Sequence, residues 1–571
     1  MSPEVSEVVN QMSCPATVRS VVAALACFVL AACNQSDTKK AEPTQSGASP
    51  QSVAAGPRGK LSVGLPSLGT AENYLPWLEA GREGWVVLGA IYESLIDSDP
   101  VTGEYRPLLA ERYEVEDSGK RWRFFLQKGV RFHDGGELTA EDVKYSYDMY
   151  VSDRSLNAAK PVFAGLVDSV QIINPHELVF NLKRSDITFL GRFGNSAFGV
   201  ASKAYVERVG EKEAANKPVG SGPYKFVEHK RQISVTFEAV PDHWNETARF
   251  KTLQLRRIPD QSARLAMLRA GEINITEMPF KLKKEAEASG MKFIKLPFAS
   301  IYHVQLGGQL LATRDSYDAN LPWVGDYNDP ESQKRALLVR RAMNLAVDRQ
   351  AIIDGVFEGE GVPAITPFFV PGSDFVTPDM KAYPYDPAEA RHLMAEAGYA
   401  NGFSREFEML LMPWVGRSEM VDVSEVVAGF WERNLGLKIK RRPIDFGNYA
   451  ANVGGPRKTA WVTWAQGFGP RPMHEPIGAM DTWLTTTARY NSVAEKTDID
   501  ELANSIRAEV DQARRTAHYR ALSRLFYDNY YAVPIAGVPS LYAYDPKVVA
   551  GWQSQPGDSY MGGYHRAMPA P

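Results

Sequence analysis

Cysteine is nearly absent from this sequence. Its 571 residues include three cysteines, Cys14, Cys27 and Cys33, and none follows them. The rest of the chain therefore has no thiolate for a disulfide, for a cysteine-ligated zinc site or for a cysteine nucleophile. A chain without cysteine also tolerates an oxidising compartment, because no mispaired disulfide can form in it.

The sequence also lacks an excess of positive charge and the common catalytic motifs. Its formal net charge is -4, so binding to nucleic acid is not indicated. It contains no G-x-S-x-G, H-E-x-x-H or Walker A motif, and hydrolysis would need an activated nucleophile or a metal-bound water. Its histidines show no paired spacing that favours a transition-metal site. We therefore expect a protein that is not an enzyme and that holds neither a metal nor a cofactor.

An apolar run near the N-terminus is the first positive feature. It covers residues 21–32, which is short for a bilayer-spanning helix of about 20 residues. With Arg19 before it, this run matches the hydrophobic region of a signal peptide. The sequence Leu-Ala-Ala-Cys that ends at Cys33 resembles the lipobox of bacterial lipoproteins, in which the cysteine receives the lipid. We predict a signal peptide over 1–32 and a lipidated Cys33; an ordinary signal peptide with an incidental cysteine is the alternative.

Two further features concern the N-terminal region. Glu4 and Glu7 are unusual in the basic segment that opens a signal peptide, so Met12 is an alternative start to Met1. The stretch 33–59 is rich in Ser, Gln, Ala, Thr and Pro, and such a composition buries too little apolar surface to fold. We predict that it is a disordered tether between the lipid and the folded body.

Strands and helices alternate along the remaining sequence. Period-two patterns predict a strand at 60–65, a hairpin within 105–134 and a strand at 437–440. Capping residues and apolar stripes predict helices that start after Thr139 and at Asp386, and helices over 339–356 and 420–435. This interleaving indicates an α/β fold.

An ordered series of short motifs carries a family resemblance. The motifs are IYESL at 91–95, RPLLAE at 106–111, GVRFHDG at 129–135, LTAEDV at 138–143, PVGSGPY at 218–224, PDHW at 241–244, LRAGEI at 268–273, VRRAMNLAVDR at 339–349, YDP at 385–387 and EAGY at 396–399. In this order and spacing the sequence resembles the peptide/nickel-type (family 5) solute-binding proteins of ABC importers. The resemblance covers most of the chain, from Lys60 to Trp552.

The motifs themselves predict packing and turns rather than ligand contacts. We expect Gly220 and Gly222 either to have positive φ or to allow close approach of another backbone segment. We expect His133 to make a structural hydrogen bond.

The resemblance implies a two-lobed periplasmic-binding-protein fold, also called a Venus flytrap, with an extra subdomain in lobe one. By analogy, lobe one comprises 60–297 and 523–571, the inserted subdomain comprises 96–217, and lobe two comprises 298–522. The chain would then cross between the lobes twice, which favours closure of two rigid bodies about a hinge. A ligand that contacts both lobes would stabilise the closed state, which the importer would recognise.

The segment TWAQGFGPR at 463–471 departs from the family's pattern. In the peptide binders of the family, a segment resembling GWxxDxxDP supplies an aspartate to the α-ammonium group of the peptide. Trp464 matches this segment, but Gly467 stands at the aspartate position. A buried ammonium group without a carboxylate is poorly compensated, so binding of free peptides is in doubt.

Two polar residues of the same segment suggest another kind of ligand. Gln466 and Arg471 favour a neutral, polyhydroxylated or anionic solute, with Arg471 as a bidentate donor. An exposed loop charge is the alternative for Arg471. Further residues expected to line the cleft, each with core packing as its alternative, are Trp461, Phe468, Asn73, Tyr74 and Tyr302.

The resemblance implies a substrate-binding lipoprotein of an ABC importer. This protein would capture a peptide-like or other small polar solute between its lobes and deliver it to the permease. It would be a monomer in the periplasm or cell envelope, anchored through Cys33. Two alternatives stay open: a receptor or murein-related binder that does not import, and a nickel-chelate binder with His474 as the candidate histidine. The identity of the ligand and the membrane that holds the lipid also stay open.

Overall fold

The computed structural model describes most of the chain from Gly56 onward. The described residues are 56–69, 72–79, 82–99, 104–157, 160–193, 198–414, 417–468, 476, 483–488, 494–553 and 562–571. The predicted signal peptide, Cys33 and most of the predicted tether lie outside them. Within these ranges no helix combines the length and the apolar character needed to span a bilayer.

The strands are short, apart from two long ones near the middle and the end of the chain. Their bounds are β1 Lys60–Leu65, β2 Ile96–Ser98, β3 Tyr105–Pro107, β4 Ala110–Glu116, β5 Arg121–Leu126, β6 Val167–Asn174, β7 Glu177–Leu182, β8 Tyr224–Lys230, β9 Ser234–Ala239, β10 Thr252–Arg257, β11 Ile275–Glu277, β12 Lys292–Leu306, β13 Val362–Pro363, β14 Phe407–Leu411, β15 Ile439–Pro443, β16 Val462–Phe468, β17 Ala532–Tyr544, β18 Val549–Gly551 and β19 Met568–Pro569.

Helices occur between the strands throughout, so the chain is α/β as predicted. Their bounds are α1 Arg82–Ile91, α2 Ala140–Val151, α3 Lys160–Leu166, α4 Lys203–Val209, α5 Glu211–Asn216, α6 Gln261–Arg269, α7 Lys283–Ala288, α8 Pro330–Leu345, α9 Arg349–Val356, α10 Pro387–Glu396, α11 Glu419–Leu435, α12 Phe446–Tyr449, α13 Thr497–Ala508 and α14 Gln512–Asn529.

Local sequence signals explain several of these elements. The strand predicted at 60–65 is β1. In the predicted hairpin, β4 and β5 pair antiparallel, and one face of β5 is buried because Trp122 and Phe124 point into the core. The predicted start of α2 is confirmed by a capping box, in which the carboxylate of Asp142 accepts the backbone N–H of Thr139 at 2.9 Å.

The prediction of a single helix over 339–356 is wrong, because the structure has two separate helices in this range. α8 ends at Leu345 and α9 begins at Arg349. Asp348 is extended between them, and its carboxylate accepts the backbone N–H of Ala351 at 3.0 Å. The apolar periodicity continues across the break, so only this capping residue marks the start of a second helix.

The largest sheet among the described residues has 11 strands. Its order is β15-β14-β16-β12-β17-β11-β1-β10-β9-β8, and β13 pairs with β17 beside this path. β14 is parallel to β15 and β16, and β1 is parallel to β10 and β11. The long antiparallel strands β12 and β17 lie between these two parallel groups, so each group belongs to its own half of the fold.

Separate hydrophobic cores lie on either side of the two long strands. One core extends from β1 to Leu296 and includes Tyr542 of β17. The next contains Tyr302 and Leu541. The pairing of β12 with β17 shifts register between Leu296 and Ser300 and again between Tyr302 and His303, and Phe298 has φ 49°. The interrupted pairing is a place where the two strands can bend.

Several of the family-type motifs meet around the buried carboxyl group of Glu93. Trp244 Nε1 donates to Glu93 Oε2 at 2.8 Å, and His243 Nε2 lies 3.6 Å from Glu93 Oε1. His133 Nε2 donates to the carbonyl of Gly222 at 2.8 Å, which confirms the structural role predicted for this histidine. These motif residues therefore contact one another inside the fold.

Replacing Glu93 with Gln is expected to weaken the pH dependence of stability. Burial raises the pKa of Glu93 from 4.5 to about 8. The buried carboxyl therefore contributes stability that is fully present below about pH 4.5 and is lost as the pH rises through about 8. The free energy of unfolding should fall less between these pH values in Glu93→Gln than in the wild type. Urea unfolding at several pH values measures this pH dependence, and Glu114→Gln, which changes an exposed carboxyl group, is the control. If the free energy of unfolding changes equally with pH in all three proteins, the prediction is wrong.

Candidate functional site

The segment predicted to hold the ligand forms β16, which lies between β14 and β12 and is buried along its length. Trp464 belongs to the second core. Gln466 accepts a hydrogen bond from Gln305 Nε2 at 3.4 Å. Phe468 packs edge-on against Phe368, with the ring centres 4.9 Å apart. The side chains of Trp464, Gln466 and Phe468, which were predicted to contact the ligand, therefore each contact another side chain of the protein.

Gly467 is the position of β16 at which a side chain is missing. Its carbonyl accepts a hydrogen bond from Arg417 Nη1, and it pairs with Tyr302 on β12. A Cβ atom at 467 would lie 3.0 Å from Cδ of Arg417 and 3.3 Å from Cζ of Tyr302. The buried side chain of Arg417 therefore lies where an aspartate side chain would project in the peptide binders.

Arg417 is the residue that the sequence reasoning missed. It lies between β14 and α11, at the carboxyl edge of the parallel strands β15, β14 and β16. Ligands of open α/β sheets bind outside this edge. An arginine that closely follows a strand is the signal that could have found it, but β14 is not among the predicted strands.

Three other predicted ligand residues lie within the described part of the chain. Trp461 Nε1 donates to Asp318 Oδ2 at 2.8 Å. Tyr74 is buried, and its hydroxyl lies 3.3 Å from His229 Nε2, while Asn73 beside it is half-buried. None of these three residues lines either of the two cavities described below.

Arg471 and His474 lie outside the described residues. Among the residues that are described, no three His, Cys, Asp or Glu side chains are grouped so that they could hold a metal ion. His303 on β12 is fully buried, and burial lowers its pKa to about 3, so this histidine is neutral at physiological pH.

A cavity of ≈ 190 Å³ lies where β12 and β17 pass between the two cores. Its lining comes from chain segments on both sides of residue 298, where lobe two is predicted to begin. The polar side chains of the lining are Gln261, Arg264, Glu277, Ser300, Tyr302, Ser418, Glu419 and Ser540. The ring of Tyr302 also lies next to Gly467, as the side chain of Arg417 does. Tyr302 therefore belongs to the cavity lining and lies near Arg417.

Tyr302 and Glu419 form the polar centre of this cavity. The hydroxyl of Tyr302 donates to Glu419 Oε2 at 3.4 Å. Burial raises the pKa of Glu419 above its ordinary value. Burial, together with the charge of Glu419, also raises the pKa of Tyr302. A carboxyl group, a phenol and the nearby guanidinium of Arg417 can therefore bind a solute that carries both donors and acceptors.

Trp414 joins the cavity to an aromatic group on the same edge of the sheet. Its ring centre lies 4.4 Å from that of Phe446 and 6.3 Å from that of Trp483. Beside them lies an open groove of ≈ 470 Å³ that includes Arg442 and Asp445. Aromatic faces next to charged groups suit an apolar part of a solute that also carries a charge.

Comparisons of sequence place the chain among known binding proteins. The model of the bacterial extracellular solute-binding proteins, family 5, middle region, matches residues 104–491. Heme-binding protein A of Haemophilus influenzae is 25% identical over 570 residues, covering 94% of this chain and 97% of that protein. The dipeptide-binding protein of Escherichia coli (strain K12) is 26% identical over 519 residues, covering 85% of this chain and 90% of that protein.

Comparison with solved structures shows the fold. The ABC transporter-associated periplasmic binding protein DppA from Helicobacter pylori, in complex with peptide STSA, has a TM-score of 0.71 at 20% identity. The match covers 90% of this chain and 98% of that one. The fold is therefore the two-lobed periplasmic-binding-protein fold that the sequence predicts. Because the family match extends over more than half of the sequence, the chain belongs to the bacterial extracellular solute-binding proteins, family 5, and its function is to bind a solute.

Proposed function

We propose that this chain binds a small polar solute with an anionic group, such as a peptide-like carboxylate, beside Arg417 and Tyr302. The observation that carries the proposal is the buried guanidinium of Arg417 against Gly467. A guanidinium binds a carboxylate through two parallel hydrogen bonds, and this pairing is strong where water is excluded. Dipeptides, which the E. coli relative binds, carry such a carboxylate.

The transport role is part of the same proposal. The protein would deliver its solute to an ABC permease from the periplasm or cell envelope, held to the membrane by a lipid on Cys33. It would act as a monomer and would release its solute chemically unchanged. The description of the family as extracellular and the ABC transporter association of the Helicobacter pylori neighbour support this role.

The lobe boundaries are also a proposal. We keep the first crossing at 297/298, where β12 leaves the first core. The inserted subdomain at 96–217 contains the separate sheet β4-β5-β7-β6. For the return crossing we propose β17 instead of 522/523, because Phe526 packs against Phe368, far beyond the first crossing.

Titration calorimetry with two probes tests the anion site. Ala-Ala and its carboxyl-terminal amide differ only in the anionic group. We expect the wild type to bind Ala-Ala more tightly, by about tenfold or more, because hydrogen bonds between charged groups contribute about 1.5–3 kcal/mol. Saturation at about 100 times Kd should also add about 2.7 kcal/mol of stability.

Two variants make this test specific. Arg417→Gln should remove the preference for the free carboxylate, whereas Arg433→Gln, an exposed arginine on α11, should keep it. The proposal is wrong if the amide binds as tightly as the free acid to the wild type, or if Arg417→Gln preserves the difference.

A further inference from the structure

A short segment after α9 lies against the two strands that run between the halves of the fold. This segment, residues 358–363, is called the strap below, and it includes β13. Val362 of the strap pairs with Gly537 on β17, and Gly537 also pairs with Ile301 on β12. Ile301 follows the first register shift of β12. The backbone of the strap is therefore attached on the second side of that shift.

The acidic side chains of the strap reach back to the first side of the shift. Glu360 Oε1 lies 2.7 Å from Nζ of Lys283 on α7, and 2.7 Å from Nζ of Lys295, which precedes the shift on β12. Glu358 Oε2 lies 2.5 Å from Nζ of Lys284 on α7. α7 shares a small hydrophobic core with α6. The ion pairs therefore join the strap to the half of the fold that precedes the first crossing.

The charges of this cluster are matched and partly shielded from water. Among the described residues, Glu287 also lies 3.6 Å from Lys283, so three carboxylates face three ammonium groups. The side chains of Glu360 and Lys283 are 15% and 19% exposed. Burial opposes the charge of Glu360, but the two lysines beside it hold its pKa below the ordinary value. These pairs are therefore ionised at neutral pH, and their attraction is stronger than that of fully exposed pairs.

The two halves also touch at a place far along the chain from the strap. Ile187 packs against the first core, and its backbone N–H donates to the carbonyl of Arg507 at 2.8 Å. Arg507 lies in the last turn of α13, next to Ile506 in the core that contains Phe468. The last carbonyls of a helix have no partner within that helix, so Ile187 supplies one from the other half. This hydrogen bond exists only while the two halves are in contact.

We propose that the strap holds the two halves in this contacting conformation through its ion pairs, and that opening of the halves therefore increases with ionic strength. Opening about β12 and β17 would bend these strands at the register shift and move the three lysines away from the strap. The attraction between opposite charges falls with distance and is screened by salt. The inference goes beyond the binding of a solute, because the ion pairs act whether or not a solute is present.

Hydrogen exchange at the amide of Ile187 tests this inference. This N–H is protected while the halves touch and exchanges when they separate. Mass spectrometry of the peptide that contains Ile187 would compare about 0.01 M with about 1 M salt, where the Debye length is about 30 Å and about 3 Å. We expect severalfold faster exchange in the wild type at the higher salt concentration. Glu360→Gln should exchange severalfold faster than the wild type at low salt and should respond less to added salt.

An exchange of charges within one pair separates the effect of the ion pairs from a loss of packing. Lys284→Glu places two carboxylates together and should accelerate exchange at Ile187. The double variant Lys284→Glu/Glu358→Lys restores the opposite charges and should return the exchange rate to that of the wild type. The control is Glu285→Gln, since Glu285 pairs with Arg269 on α6 at 2.9 Å rather than with the strap. It should behave as the wild type does.

Three results would each overturn the inference. They are exchange at Ile187 that does not change with salt in the wild type, wild-type exchange in Glu360→Gln, and no recovery in the double variant. The measurement contains no solute. A failure here therefore leaves the proposed anion site at Arg417 intact, and a failure of that site leaves the role of the strap intact.

Discussion

Gly220→Ala is expected to lower the free energy of unfolding by about 3 kcal/mol, because overpacking a rigid contact costs this much. A Cβ atom at 220 would overlap the carbonyl oxygen of Ile91 and would lie 2.8 Å from its carbon atom and 2.9 Å from Cδ1 of Tyr92. The obstacle is mainly backbone, which cannot rotate away. Urea unfolding followed by circular dichroism measures the change in midpoint.

Gly355→Ala is the matched control for this substitution. Gly355 lies inside α9 and is exposed, and apart from the backbone of its own helix no described atom lies within 4 Å of a Cβ built there. Alanine should stabilise this helix by up to about 1 kcal/mol. A midpoint for Gly220→Ala equal to that of the wild type would show that the backbone at Ile91 can move aside, contrary to our expectation.

Arg349→Met should destabilise the protein by about 3 kcal/mol or more, because several buried carbonyl groups lose their donors together. Arg349 Nε donates to the carbonyl of Pro534 at 2.6 Å. Its Nη1 donates to the carbonyls of Asn344 and Val347 at 3.2 Å each and to that of Tyr383 at 3.3 Å. One side chain thus joins α8, α9 and β17, and burial lowers its pKa to about 10.

Another arginine of the motif at 339–349, Arg341, provides the control. Arg341 is exposed, and its only ion pair in the described part of the chain is with Glu389 at 3.5 Å. Arg341→Met should therefore change the free energy of unfolding by about 0.5 kcal/mol or less. Equal effects of the two substitutions, measured by urea unfolding, would contradict the role assigned to Arg349.

Several of the predicted elements depend on nearby residues alone, and these are the ones that the sequence predicts well. The capping box of Thr139 and Asp142 and the N-cap at Asp386 need only a few neighbouring residues. The division of 339–356 at Asp348 shows the limit of periodicity, because a continuous apolar stripe does not reveal that the chain changes direction.

The candidate site was predicted less well for a different reason. Trp464 and Phe468 were predicted to contact the ligand because they lie near Gly467, where the sequence departs from the family pattern. The sequence does not show which face of β16 packs against the rest of the protein. In the structure both pack within the protein. Gly467 was predicted as the decisive position, and the structure adds that Arg417 lies against it.

The sequence by itself determined the α/β class, the family and the missing acid at Gly467, because motifs, caps and periodicity act between residues close together in the chain. Only the tertiary structure decided that Arg417 faces Gly467 and that Glu277, Glu419 and Arg264 share one cavity. Arg417 and Gly467 are 50 residues apart in the chain, and Glu419 is far along the chain from Glu277 and Arg264. Sheet pairing and the two crossings bring them together, and such long-range contacts leave no local pattern.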